Sequence, residues 1–131
     1  MRVLIAPDKF AGTLTAAEAA AAIAAGWQAA RPADELDLVP MSDGGPGFVD
    51  ALTGPLGGER VEVQVIGPLG RPVRAPILRM GSRAYLESAA TCGLGLLPET
   101  DRDPGRASTL GVGELVAAAA AAGAAEIVVG L

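Results

Sequence analysis

The sequence of 131 residues contains no histidine and a single cysteine, Cys92. The lack of histidine excludes Ser-His-Asp catalysis, histidine-based zinc sites and acid–base chemistry by imidazole within these residues. One cysteine cannot form an internal disulfide, which favours a reducing compartment. Because no histidine is present to activate its thiol, we interpret Cys92 as a small buried side chain and not as a nucleophile.

Aromatic residues and positive charge are also scarce. Aromatic side chains make up 3% of the residues while 50% are apolar, so alanine and the small aliphatic side chains must form the core. Such a core is thin, since large rings bury the most area per residue. The net charge is −5 and Lys and Arg form no cluster. This disfavours nucleic acid as a partner but allows phosphate chemistry that uses a few local cations or a metal.

No stretch of the sequence has the pattern of a leader or a membrane anchor. The apolar run at the N-terminus is too short for a signal peptide. The alanine-rich run over residues 116–131 is interrupted by Glu126 and is too short to span a bilayer. We therefore expect a cytoplasmic protein without a membrane partner.

The apolar periodicity predicts an α/β protein. Predicted strands cover residues 2–6, 36–41, 61–66, 73–80, 84–87 and 127–130, and predicted helices cover residues 15–30, 48–52 and 108–122. Thr15 and Glu18 form a capping-box pattern at the start of the first helix. We expect Ile23 and Trp27 on the buried face of that helix, and Pro46 near the first turn of the next. Residues 98–105 are expected to form a polar loop.

The architecture is predicted to change near residue 58. A strand–helix–strand opening precedes this point, and a meander of antiparallel strands follows it. We therefore divide the chain into residues 1–58 and residues 59–131. The last predicted strand ends where the sequence ends, although a buried strand needs a following connection. We accordingly expect the sequence to be the first part of a longer chain whose second region is cut short.

Charged and small polar residues follow several of the predicted strands. Ligands of open α/β sheets gather beyond the carboxyl ends of parallel strands. The candidates are Asp8 and Lys9 after the first strand, Asp43, Gly44 and Gly45 after the second, and Glu87 after the fifth. Glycines let the backbone approach a ligand closely, and amides at a helix start can hold an anion. Asp43 would then supply a metal ligand or a base.

Each candidate also has a purely structural interpretation. Asp-Gly is among the commonest turn pairs, and charges such as Asp8 and Lys9 after a strand are usually solvated. Glu87 could belong to a structural ion pair, and Thr109 to a plain helix N-cap. The nucleotide signatures GxxxxGKS, GxxxxGKT and GxGxxG are absent, so neither a P-loop nor a Rossmann site is indicated.

Six stretches in one order are more specific than any single motif. They are IAPDKFAGTLTA, VPMSDGGPGFVDAL, GPLGRPV, YLESAATCGLGLLP, STLGVGEL and IVVGL. Together they resemble the N-terminal part of bacterial glycerate kinases of the two-domain type. The resemblance implies ATP-dependent phosphorylation of D-glycerate to a phosphoglycerate, with position 2 favoured. It also implies a flavodoxin-like domain with a parallel sheet, into which a second α/β domain resembling restriction endonucleases is inserted.

The resemblance carries roles to the matching positions of this sequence. Asp43 is assigned to the substrate hydroxyl or to Mg²⁺, and Asp8 to a second metal or substrate contact. Lys9 is assigned to a phosphate or carboxylate group. The positions that give backbone approach or line the substrate cleft are Gly44, Gly45, Glu87 and Thr109. ATP is the implied phosphoryl donor, Mg²⁺ the implied metal, and the oligomeric state stays open.

The sequence departs from the family pattern at three motifs. Ala11 stands where the family has a lysine, Pro46 where it has a glutamate, and Val112 where it has a threonine. The family's long glycine-rich loop would follow the last strand, so we expect residues 1–131 alone to be inactive. Alternatives from other classes are a non-catalytic α/β module that binds a small anionic metabolite, or a piece that does not fold by itself.

Overall fold

The computed structural model describes all residues, Met1–Leu131, and its strands form two separate sheets. The strands are β1 (Arg2–Ile5), β2 (Glu35–Leu38), β3 (Glu59–Ile66), β4 (Pro72–Met80), β5 (Arg83–Glu87) and β6 (Glu126–Gly130). The helices are α1 (Ala16–Ala30), α2 (Phe48–Leu56), α3 (Ala89–Cys92) and α4 (Leu110–Ala121), with short 3₁₀ turns at Leu94–Leu96 and Glu99–Asp101. The predicted mixed α/β class is confirmed.

The chain divides into two compact units, Met1–Asp43 and Gly44–Leu131. In the first unit β1 and β2 pair in parallel, with Arg2 opposite Glu35 and Ile5 opposite Leu38. Parallel strands need a crossover connection, and α1 provides it. These units are defined by packing, whereas the boundary expected at residue 58 marks the start of an inserted domain. That boundary stays a prediction.

Helix α1 begins at a complete capping box. The Thr15 hydroxyl accepts from the amide of Glu18 at 3.2 Å, and the Glu18 carboxylate accepts from the amide of Thr15 at 2.8 Å. These bonds satisfy amides that the helix leaves without partners. The backbone and hydroxyl bonds from Thr15 hold the pKa of Glu18 below its ordinary value. The capping box predicted from the sequence is confirmed.

The buried face of α1 differs from the prediction. Small side chains carry it: Ala16, Ala19, Ala20 and Ala24. Ala20 and Ala24 form a cluster with Ile5, whereas the side chain of Ile23 is 45% exposed. A sheet of two strands offers a narrow surface, so only the alanine stripe of the helix is covered. The expected burial of Ile23 is therefore wrong.

Trp27 was expected in the core and is only half-buried. Its indole N–H donates to the carboxylate of Asp34 at 3.1 Å. Asp34 is 8% exposed, and its other oxygen accepts from the N-terminal ammonium of Met1 at 2.8 Å. The ammonium and the indole lower the pKa of Asp34. A ring that also serves as a polar partner lies at the edge of the unit and not at its centre.

The second unit contains one sheet with the strand order β3-β4-β5-β6. The first three strands form the expected antiparallel meander, and β6 pairs in parallel with β5. Helix α4 packs on one face, where Leu115 joins a cluster that includes Ile77 and Leu86. Helix α2 packs on the other face, where Val49 contacts Leu78 and Tyr85. Side chains alternate between the faces of a strand, so β4 and β5 supply both clusters.

Several element boundaries depart from the prediction. β2 ends at Leu38 and not at residue 41, because Pro7 on the opposite strand has no N–H to donate back to it. Pro46 precedes the N-cap Gly47 and lies outside α2, which runs four residues further than predicted, to Leu56. The four residues of α3 were missed, and one 3₁₀ turn lies in the predicted polar loop. No helix is long and apolar enough to cross a membrane.

The start of α4 lies against the end of β3. A β-carbon built on Gly111 would clash with the carbonyl oxygen of Ile66. The Glu114 carboxylate of the same helix accepts from the amide of Ile66 at 2.7 Å. Gly111 thus permits a backbone approach that this hydrogen bond requires, whereas a β-carbon on Gly113 would meet nothing within 4 Å.

We expect opposite effects from alanine at these two glycines. Gly111→Ala must push α4 away from β3 and should lower the free energy of unfolding by about 1–3 kcal/mol. Gly113→Ala, in the same helix turn, should raise it by up to about 1 kcal/mol because alanine favours the helix. Urea unfolding of both variants checks this, and equal effects would contradict the close approach.

Removal of the α1 cap should cost stability without an effect on any site. Thr15→Ala leaves the Glu18 amide without its partner, and we expect a loss of about 1 kcal/mol. The control is Thr100→Ala on an exposed 3₁₀ turn, which should change stability by less than about 0.5 kcal/mol. A loss in Thr100→Ala as large as that in Thr15→Ala would mean that the capping box contributes nothing of its own.

The lowered pKa of Asp34 predicts a dependence of stability on pH. A carboxyl group whose pKa is lower in the folded state stabilises the fold above its unfolded pKa of about 4, and loses that contribution as the pH falls. Asp34→Asn should therefore be less stable than the parent protein at pH 7, with a smaller difference at pH 3. Asp37→Asn, which breaks the exposed ion pair with Arg2, should change stability little at either pH. A difference for Asp34→Asn that is constant with pH would exclude this account.

Candidate functional site

In the first unit, the pairing of β1 and β2 continues beyond the ends of both strands. The amide of Val39 donates to the carbonyl of Ile5, and that of Met41 to the carbonyl of Pro7, both at 2.9 Å. These bonds keep the segment after β1 alongside the segment after β2. The two candidate loops are therefore held together by backbone hydrogen bonds.

Three of the predicted site residues meet there. The Lys9 ammonium lies 2.7 Å from a carboxylate oxygen of Asp43 and 3.8 Å from one of Asp8. The Asp8 carboxylate also accepts from the backbone amide of Lys9 at 2.6 Å. We call Asp8, Lys9 and Asp43 the acid–lysine cluster. The sequence placed these residues after the first two strands, and the structure brings their side chains together.

Exposure differs strongly within the acid–lysine cluster. The Lys9 side chain is 21% exposed, so its stem is largely covered and its ammonium is held between the two acids. The Asp43 side chain is 63% exposed and can be reached by a ligand. An accessible carboxylate beside a fixed positive charge can orient a hydroxyl group or share a cation.

Gly44 and Gly45 belong to the second unit, where the backbone passes close to the end of β6. Gly44 has φ +93, and a β-carbon on it would lie 3.2 Å from the amide nitrogen of Leu131. A β-carbon on Gly130 would clash with the Gly44 carbonyl oxygen and would lie 2.6 Å from the Phe48 ring. Glycine is therefore needed at both position 44 and position 130 for this close approach.

Sequence reasoning missed Gly130 as a partner of residues 44–47, which we call the glycine loop. The available signal was a glycine at the end of a predicted strand, which often marks close approach of another backbone.

Glu87 lies at the carboxyl end of β5 in the second unit and is 7% exposed. Its carboxylate oxygen Oε2 accepts from the amide of Val49 in the first turn of α2 at 3.3 Å. The amide of the next residue, Ser88, donates to the carbonyl of Gly130 at 3.0 Å. Glu87 thus lies beside the ends of β5 and β6, where the glycine loop also passes.

Thr109 lies at the N-cap of α4. Its side chain is exposed and makes no capping hydrogen bond. The neighbouring Ser108 hydroxyl instead accepts from the amide of Leu110 at 3.1 Å. No hydrogen bond connects Thr109 to Glu87. A plain N-cap by the Thr109 side chain is therefore not what the structure has, and its assignment to a substrate cleft stays a prediction.

The carboxylates do not form a metal cage from protein groups alone. No group of three or more His, Cys, Asp or Glu side chains could hold an ion. Mg²⁺ usually takes only one or two carboxylates and completes its shell with waters and substrate phosphates. Asp43 and Asp8 could be the one or two carboxylates of such a site. The Lys9 ammonium already lies where their negative charges favour a positive charge.

The acid–lysine cluster follows the carboxyl ends of two parallel strands, which is the edge where open α/β sheets bind their ligands. The family model described as the glycerate kinase family matches residues 3–131. The chain belongs to the glycerate kinase family.

Individual proteins are similar to the whole chain. The chain is 53% identical over 135 residues to an uncharacterized protein of Mycobacterium tuberculosis (strain CDC 1551), covering 100% of this chain and 35% of that protein. It is 38% identical over 133 residues to the glycerate 2-kinase of Escherichia coli K12, with the same coverage of 100% and 35%.

A solved structure also matches. A crystal structure described as a glycerate kinase 2 of Salmonella typhimurium LT2 superposes with a TM-score of 0.80 and 38% identity, over 99% of this chain and 35% of that one. The chain thus spans about a third of the length of the relatives that it matches.

Proposed function

We propose that the protein phosphorylates D-glycerate with ATP as the phosphoryl donor. The family match over residues 3–131 supports the reaction, and the name of the Escherichia coli relative supports 2-phosphoglycerate as the product. ATP as a substrate also favours the cytoplasm as the location.

The observation that carries the proposal is the 2.7 Å ion pair between Lys9 and Asp43. Phosphoryl transfer depends mainly on placing the reactants in line and on neutralising charge, with little covalent chemistry by the protein. Asp43 would accept a hydrogen bond from the substrate hydroxyl and take its proton as the bond to phosphorus forms. Lys9 would hold the Asp43 carboxylate in place and attract the anionic groups of the substrates.

Other residues are assigned to binding. In the alternative role of Asp43, it would hold Mg²⁺ together with Asp8, and the bound ion would neutralise the charge of the phosphates. Gly44 and Gly45 would give close backbone approach, and Glu87 and Thr109 would line the substrate cleft. None of these roles depends on a histidine or a second cysteine.

The domain arrangement is part of the same proposal. We assign residues 1–58 to a flavodoxin-like domain, supported by the parallel pairing of β1 and β2. We assign residues 59–131 to the start of an inserted domain that resembles restriction endonucleases, supported by the change to antiparallel pairing at β3. That residues 1–131 alone are inactive stays a prediction.

Asp43→Asn tests the catalytic assignment. The substitution keeps the shape of the side chain and removes its charge. In the full-length protein, kcat/KM for glycerate should fall by about 100-fold or more, as for the loss of a positioned acid–base or metal group. The free energy of unfolding should change by less than about 0.5 kcal/mol because the side chain is exposed. A coupled assay of ADP release measures the rate.

Asp37→Asn is the matched control, since Asp37 is a partly exposed carboxylate of the same unit in an ion pair with Arg2. Its kcat/KM should equal that of the parent protein. A near-normal rate in Asp43→Asn would favour a turn role for this residue. Binding of glycerate by the parent protein without ADP release would favour the non-catalytic module.

A further inference from the structure

Helix α2 begins without a capping side chain of its own. Its N-cap is Gly47, with φ 90°, which offers no side-chain hydrogen bond. The first amides of a helix have no partners within the helix and must find them elsewhere. Val49, in this first turn, is fully buried, so water cannot readily reach its backbone amide. The sequence around α2 therefore does not explain how the helix start is satisfied.

A distant side chain satisfies it. Glu87, on β5, accepts from the Val49 amide through one carboxylate oxygen, at 3.3 Å in a buried position. A negative charge at a helix N-terminus is also favoured by the helix dipole. Loss of this acceptor would leave a buried donor unpaired, which costs more than a surface hydrogen bond.

The glycine loop is connected to the same place. Residues 44–47 lead directly into α2, and the amide of Phe48 donates to the carbonyl of Gly45 at 3.1 Å. The Gly44 backbone lies against Gly130 at the end of β6, and the amide of Ser88 holds the Gly130 carbonyl. Glu87 and the next residue, Ser88, thus hold the two elements next to the loop, which are the start of α2 and the end of β6.

We infer that Glu87 is a positioning residue, which holds the start of α2 and through it the backbone of Gly44 and Gly45. In this role Glu87 acts on the reaction through the loop and not by contact with the substrate, which replaces its assignment to the lining of the substrate cleft. One consequence is that the Val49 amide already has an anion of the protein as partner, so a substrate phosphate does not bind there. This inference rests on the proposed function only for its effect on rate, since the effect on the loop is a property of the fold.

Two substitutions separate the acceptor from the charge. Glu87→Gln keeps an oxygen that can accept from Val49, whereas Glu87→Ala removes it. We expect hydrogen exchange of the amides in residues 44–52 to rise about 10-fold or more in Glu87→Ala, and far less in Glu87→Gln. If Glu87→Ala does not fold, Glu87→Leu fills the space without an acceptor and takes its place.

Glu114 provides the matched control. It is also a carboxylate that accepts from a backbone amide in the second unit, that of Ile66 at 2.7 Å. Glu114→Ala should speed exchange near Ile66 and leave residues 44–52 unchanged. This comparison shows whether the effect of Glu87 is specific to the glycine loop or follows from a general loss of stability.

Steady-state kinetics in the full-length protein give the second readout. For a positioning role, kcat/KM for glycerate should fall about 10-fold or more in Glu87→Ala and recover to within about 3-fold of the parent value in Glu87→Gln. Unchanged exchange over residues 44–52 in Glu87→Ala would overturn the inference. So would a raised KM in Glu87→Gln with normal exchange, because the charge would then contact the substrate. If the parent protein does not phosphorylate glycerate, the proposed function fails, and the exchange data alone decide the role of Glu87.

Discussion

The candidate site of the first unit depends on the register of two parallel strands. With Ile5 opposite Leu38, the segments after β1 and β2 leave the sheet side by side. The backbone hydrogen bonds of Val39 and Met41 keep them together. Lys9 can then lie within hydrogen-bond distance of Asp43, 34 residues further along the chain. A shift of one residue would move each side chain of β2 to the opposite face of the sheet and would displace the loop that carries Asp43.

In the second unit, several elements are fixed by places where no side chain is tolerated. Gly111 lets α4 reach the end of β3, and Gly130 lets the glycine loop reach the end of β6. In both places a glutamate completes the contact by accepting from a backbone amide: Glu114 from Ile66, and Glu87 from Val49. Close backbone approach and a carboxylate from another element thus occur together. Such an approach leaves backbone amides that water cannot reach, and the carboxylate accepts from them.

The sequence predicted those features that depend on local spacing. Alternation indicated β3, the capping box indicated the start of α1, and Asp8, Lys9 and Asp43 were correctly expected after the first two strands. It could not predict contacts between distant residues, such as the bond from Val49 to Glu87 or the approach of Gly130 to Gly44. The four residues of α3 are too few to show a period of 3.6. Ile23 was misplaced because helical spacing does not tell how wide the covering sheet is.

The alanine stripe of α1 has a consequence for motion. Each buried alanine contributes only one methyl group. The buried apolar residues of the first unit are Ile5 and four alanines, whereas the second unit buries several leucines, valines and a tyrosine. The free energy of local opening follows the apolar contact that is lost. Local opening of the first unit therefore loses less apolar contact per buried residue than local opening of the second.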